Sequence, residues 1–148
     1  MLLNRDGKVL VAQRNDVRGE AWQMPQGGID ADESPRAAAM RELKEEIGTD
    51  KAEIIAESSE WLRYDLPPEV APKAWRQRFC GQEQKWFVLR YLGEDSDINL
   101  ATKKPEFSAW KWVDVSCLPD LIIWFKRPIY LELVKLFSEL AKPVFDSE

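Results

Sequence analysis

Apolar and polar residues alternate over residues 8–13, just after an Asp6-Gly7 turn, so the chain opens as a hairpin. A short strand near Trp22 leads into a Pro25-Gln26-Gly27-Gly28 loop. Ser34 is a good N-cap, Pro35 suits the first helical turn, and residues 36–47 are mostly strong helix formers. Gly48 can take the left-handed conformation that ends such a helix. At helical spacing Met40, Leu43 and Ile47 share the face expected to be buried, while Glu42, Glu45 and Glu46 share another. Residues 52–64 read as one or two strands, interrupted by polar Ser58-Ser59-Glu60. Pro67-Pro68 opens an irregular insertion that runs to Gly81. Residues 85–92 and 109–113 are further strands, and 128–140 is an amphipathic helix carrying Ile129, Leu133, Leu136 and Leu140. Strands, a helix, more strands and a final helix predict an α/β sandwich with a mixed sheet.

The 148 residues fit one domain with a real core, expected to span 1–148. The chain contains no histidine, which excludes a Ser-His-Asp triad, a Cys-His pair and the usual His-containing zinc sites. Cys80 and Cys117 cannot build a disulfide framework and read as free thiols in a reducing, cytoplasmic compartment. No apolar run reaches about 18 residues, so no membrane partner is expected. A net charge of −5 argues against a general nucleic-acid coat but permits a polyphosphate substrate, because bound metal supplies local positive charge. Lys73, Arg76, Arg78 and Lys85, interleaved with Trp75, Phe79 and Trp86, form a local basic segment. It suits either an RNA 5′ end or a solvated loop with packed aromatics.

The chemistry is concentrated between Gly27 and Gly48. Glu33, Arg41-Glu42-Leu43, Glu45-Glu46 and Gly48 stand in a register that chance supplies on the order of once in 10⁸ start positions. Three carboxylates within one helical turn repel one another unless a cation or an arginine is present. Hard oxygen ligands on a rigid helix suit Mg²⁺ or Mn²⁺, which leave positions for water and substrate phosphates. Arg41 precedes Glu45 by one turn and can orient that carboxylate or balance its charge. Gly27 and Gly28 allow the loop to pass close to a metal or phosphate.

This register resembles the Nudix box, so the chain is similar to the Nudix hydrolases, whose fold is an α/β/α sandwich with a mixed β-sheet. One departure is Thr49, where the box usually continues with an aliphatic residue; it bears on packing and not on a ligand. The segments AWQMPQGGID, EWLRYDLPPE, GQEQKWFVLRY and KPEFSAWKWV, with a weaker match at FKRPIY, resemble one branch. That branch holds the RNA pyrophosphohydrolases and the bacterial and plant-type diadenosine tetraphosphate hydrolases. Relatives carry a Tyr-Arg-Pro-Asn-Val-Gly segment ahead of the first strand, and this chain starts instead at Met1-Leu2-Leu3-Asn4. Either this start lies inside a longer product, or a basic contact to the terminal phosphate is absent.

The resemblance implies roles residue by residue. Glu42, Glu45 and Glu46 bind a divalent metal, Mg²⁺ or Mn²⁺, with Glu45 or Glu46 also a candidate general base and Arg41 part of the catalytic set. Glu106 matches an extra carboxylate used as ligand or base. Arg14, Gly27, Lys85 and Lys126 match substrate-binding positions, with Arg14 and Lys85 facing phosphates. Tyr64 and Phe125 match aromatics near the nucleobase, although core packing accounts for most such residues equally well. Gln82 and Gln84 flank the expected pocket. The implied reaction is hydrolysis of phosphoanhydrides in nucleoside polyphosphates: RNA 5′-triphosphate ends, diadenosine tetraphosphate, or both. A nucleotide-pool sanitising or ADP-ribose hydrolase would share the box but leave the segment from Gln82 to Phe87 without a role. A non-catalytic nucleotide-binding module would be expected to have lost one of the three helix glutamates, and all are present.

Overall fold

The computed structural model describes residues 1–15, 21–67 and 81–145. The basic segment around Lys73, Arg76 and Arg78, its aromatics Trp75 and Phe79, and Cys80 lie outside the described residues.

A six-stranded sheet is built on β2 (Val9–Arg14). Along one edge β2 pairs antiparallel with β8 (Phe107–Val113), from Val9↔Val113 to Arg14↔Phe107. Along the other it meets β1 (Leu2–Leu3) at Leu3↔Val9 and β3 (Trp22–Gln23) at Ala12↔Gln23. β1 then runs parallel to β7 (Phe87–Tyr91), which pairs antiparallel with β4 (Ala52–Glu57). One parallel junction among antiparallel ones makes the sheet mixed, as the sequence pattern predicts. A second, two-stranded sheet joins β5 (Leu62–Asp65) to β6 (Gly81–Gln84).

Adjacent strand residues divide between two apolar layers because side chains alternate across a strand. Leu2, Leu10, Phe87 and Leu89 face Leu43 and Ile47 of helix α1 (Pro35–Ile47). Leu3, Val9, Val11 and Val88 face Ile129, Tyr130, Leu133 and Phe137 of α3 (Arg127–Phe137), beyond the short α2 (Leu118–Leu121). The mixed sheet thus lies between helices, as the α/β sandwich requires.

The α1 signals read from sequence hold in detail. Ser34 Oγ accepts from Ala37 N at 3.1 Å, and Gly48, at φ +81°, donates to Lys44 O at 2.9 Å. Thr49 is buried at the helix end and accepts from Lys51 N, so the departure there is a packing matter. Two readings shift. The last helix buries Tyr130 and Phe137 and leaves Leu136 and Leu140 exposed, because its stripe is centred between Leu133 and Phe137 and a 3₁₀ turn over Ser138–Leu140 ends it. β6 is a separate strand, and residues 52–64 contribute to two different sheets.

Candidate active site

Arg41 organises the outer half of the α1 glutamates. Its guanidinium grips Glu33 with two bonds of 2.7 Å, and also donates to Glu42 at 2.9 Å, Glu45 at 3.2 Å and Gly28 O at 2.8 Å. A planar fork with several fixed donors can hold this many acceptors at once, which lysine cannot. The Arg41 bond, helped by the Asp30 backbone, pulls the Glu33 carboxyl down to about 2. The helix therefore stays tied to the Gly27–Gly28 loop through one side chain.

Glu46 has the opposite surroundings. It is 3% exposed, on the buried stripe with Leu43 and Ile47. Both carboxylate oxygens are buried and accept no hydrogen bond of ordinary geometry among the described residues. Burial pushes its carboxyl up to about 9, reinforced by the facing charges of Glu106 and Glu42, with a weaker opposing pull from the Gln26 backbone. Glu42 is also raised, chiefly by burial and against the pull of Arg41. Glu106 projects from the loop before β8, where Asn15 N donates to its carbonyl at 2.9 Å. Glu45 differs from its neighbours: its side chain is 58% exposed and turned to Arg41.

A cavity of about 250 Å³ lies between α1, the Gly27–Gly28 loop and the β6–β7 segment. Glu42, Glu46, Gly27, Gln82, Gln84 and Lys85 line it. At Gly27 the backbone passes so near Glu42 that a Cβ would overlap its carboxylate, whereas a Cβ on Gly28 would meet open space. Only at the first of the two glycines would a side chain displace a neighbour, the Glu42 carboxylate. Lys85 is mostly covered and lies 3.8 Å from Glu57, which also pairs with Arg36 at 3.5 Å.

The remaining expected binding residues gather outside the cavity lining. Tyr64 and Phe125 stand 6.1 Å apart at a tilt of 39°, with Lys126 Nζ 5.3 Å from the Tyr64 ring centre. Arg14, at the end of β2, is close enough to influence both Tyr64 and Lys126. Lys126 is buried, and desolvation, aided by Arg14, pushes its amine down to about 8. Tyr64 belongs to the core, with only its hydroxyl spent at the surface, on Gln82. Sequence reasoning passed over two residues here. Trp124, 63% exposed and packed edge-on to Phe125 at 5.6 Å, is the most open aromatic of this group. Gln26 hydrogen-bonds Gln84 at 2.8 Å, and its place in the Pro-Gln-Gly-Gly loop was the available signal.

A model of the NUDIX domain matches residues 1–133. The chain belongs to the Nudix family. It is 55% identical over 143 residues to an RNA pyrophosphohydrolase of Rhodospirillum rubrum, covering 97% of this chain and 86% of that one. It is 52% identical over 140 residues to an RNA pyrophosphohydrolase of Roseobacter denitrificans, with coverages of 93% and 88%. Among solved structures, a C. elegans Ap4A hydrolase binary complex superposes with a TM-score of 0.65 at 19% identity over 93% of each chain, which shows a shared Nudix fold. No helix among the described residues is long and apolar enough to cross a membrane.

Nudix hydrolases generally use divalent metal ions. Among the described residues no three acidic or cysteine side chains stand as a finished cage. The donor chemistry nevertheless fits such an ion. A buried carboxylate without a partner is costly, and Glu46 has no well-formed hydrogen bond among the described residues and is faced by two further carboxylates whose repulsion a cation would relieve.

Proposed function

We propose that this Nudix chain, acting as a single domain, hydrolyses phosphoanhydrides at RNA 5′-triphosphate ends, releasing pyrophosphate, and also accepts diadenosine tetraphosphate. The observation that carries the chemistry is Glu46, buried beside Glu42 and Glu106 with no well-formed hydrogen bond among the described residues. The substrate is supported by high identity to RNA pyrophosphohydrolases over nearly the whole chain.

Glu42 and Glu46 are the residues that would hold Mg²⁺ or Mn²⁺. When bound, such an ion neutralises phosphate charge and acidifies water for in-line attack. Glu106, reachable by solvent and facing Glu46, accepts the proton of the attacking water. Glu45 is held off by Arg41, which fixes the Glu42 carboxylate and therefore acts by positioning. Lys85, lining the cavity beside these carboxylates, offers the substrate phosphates a cation. Arg14, Lys126 and the Phe125 and Trp124 rings receive the nucleoside end, where flat faces serve any base, with Tyr64 packed against Phe125 and Lys126.

The test is incubation with Mg²⁺ and either 5′-triphosphorylated RNA or diadenosine tetraphosphate, followed by assay of released pyrophosphate or nucleotide. Turnover of the RNA is expected. No turnover of either substrate overturns the reading.

A further inference from the structure

A chain of amides beside the cavity has a polarity that its own chemistry forces. An indole N–H only donates, so the amide atom 3.0 Å from Trp86 Nε1 is the oxygen of Gln84. Trp86 cannot turn to suit its neighbour: it is buried, packs edge-on against Tyr130 at 6.0 Å, and its backbone N donates to Ser58 Oγ. The Gln84 amide nitrogen is thereby aimed at Gln26 and Gln82, at 2.8 and 3.2 Å. An amide NH₂ needs acceptors, so both partners present their oxygens to it. The Tyr64 hydroxyl donates to the same Gln82 oxygen at 2.9 Å. The NH₂ ends of Gln26 and Gln82 are left on the far side of their carboxamides, with no acceptor among the described residues. All three glutamines line the cavity that holds Glu42 and Glu46.

We propose that Gln84 is a positioning residue, clamped by Trp86, that keeps Gln26 and Gln82 turned so that their NH₂ groups donate to the phosphoryl oxygens of the substrate. This rests on the reading of the cavity as a polyphosphate site. An unclamped glutamine presents either end of its amide at little cost, and its carbonyl end repels a phosphoryl oxygen. Holding two such groups in one sense spares the substrate the work of ordering them, a gain that appears in binding. Gln84 itself touches no substrate; its effect passes through its two neighbours.

The experiment uses the wild type, Gln84→Met and Trp86→Phe, with Mg²⁺ and a 5′-triphosphorylated RNA oligonucleotide. Gln84→Met, which matches the length of glutamine but has no donor and only a weak sulfur acceptor, is expected to raise KM about tenfold with kcat within about twofold. Trp86→Phe moves KM in the same direction by less, since Gln84 survives but can turn. In wild type, the side-chain amide resonances of Gln26 and Gln82 shift when Mg²⁺ and inorganic triphosphate are added. KM values of both variants within twofold of wild type overturn the proposal, and so does a loss carried by kcat. Amide resonances that stay still under triphosphate overturn it whether or not the RNA is cleaved. Resonances that move without any cleavage uphold the donor arrangement and sink the hydrolase reading alone.

Discussion

Glu33 and Glu46 belong to one motif and have opposite fates. Glu33 stands at the start of α1, bound twice by Arg41 and once by the Asp30 N–H, and its carboxyl falls to about 2. Glu46 stands at the other end, buried with no hydrogen bond of ordinary geometry among the described residues, and its carboxyl rises to about 9. Both begin from an ordinary value of 4.5. A carboxylate satisfied by its own protein is spent on structure, whereas one kept buried and unsatisfied is held for something that arrives later. The pair also carries opposite pH signs. The contribution of Glu33 is present above 4.5 and fades as pH falls toward about 2; that of Glu46 is present below 4.5 and fades as pH rises toward about 9.

The comparison breaks most visibly in catalysis. Glu46→Gln is expected to lower the rate by about 10³-fold or more, because it removes the charge of the carboxylate proposed to hold the metal while keeping the shape of the side chain. Glu33→Gln should cost about tenfold, since it only loosens Arg41 and the carboxylates that Arg41 holds. Steady-state turnover of the triphosphorylated RNA checks both. Equal losses would mean that the two glutamates do not divide into structural and chemical roles.

A smaller effect separates the two adjacent loop glycines. Gly27→Ala pushes a methyl into the Glu42 carboxylate and should cost about 10- to 100-fold, the scale of an ångström-sized misplacement. Gly28→Ala meets open space, so its rate should stay within about twofold of wild type. Metal titration would show weaker binding for the first variant only.

The helix and its caps were legible because they depend on local signals: Ser34, Pro35, Gly48 and the apolar spacing between them. The carboxylates were legible as a cluster, but their division was not. Glu46 lies three residues after Leu43 and beside Ile47, so it borders the apolar stripe, while Glu45 falls nearly opposite Leu43. That geometry was available, yet the depth of burial depends on β1 and β7 arriving from distant parts of the chain. The same holds for the second sheet, in which Tyr64 pairs with Gln82. Nothing local to Gly81–Gln84 announces a strand whose partner lies across a long insertion. Lys126 shows the limit from the other side, a charged residue whose burial comes entirely from its neighbours in space.

Stability without metal offers a subtler probe of the same contrast. Because Glu46 holds its proton more tightly when folded, the folded state loses stability as pH rises from about 5 toward about 9. The slope from this one group is at most about 1.4 kcal/mol per pH unit. Thermal melts in a chelator should show Tm falling across that window, with the fall much reduced in Glu46→Gln. Added Mg²⁺ should raise Tm most at the alkaline end, where the carboxylate is most costly to leave bare. A wild-type Tm that is flat from pH 5 to 9 would remove Glu46 from its place in the contrast.

The gentlest test concerns the cap beside Glu33. Ser34 Oγ satisfies one of the free N–H groups at the start of α1, and Ser34→Ala leaves that donor to water. The expected cost is about 1 kcal/mol, or about 3 °C in Tm for a chain of this size. Ser34→Gly should cost only a few tenths of that energy. Neither substitution reaches the cavity, since Arg41 still ties Glu33 to Gly28 and the helix is held by Leu43 and Ile47 against the sheet. Both variants should therefore keep kcat/KM within about twofold of wild type while Tm drops. If Ser34→Ala cut kcat/KM as deeply as Gly27→Ala, the N-terminal end of α1 would be setting the carboxylate geometry directly, and the separation between its satisfied and unsatisfied ends would collapse.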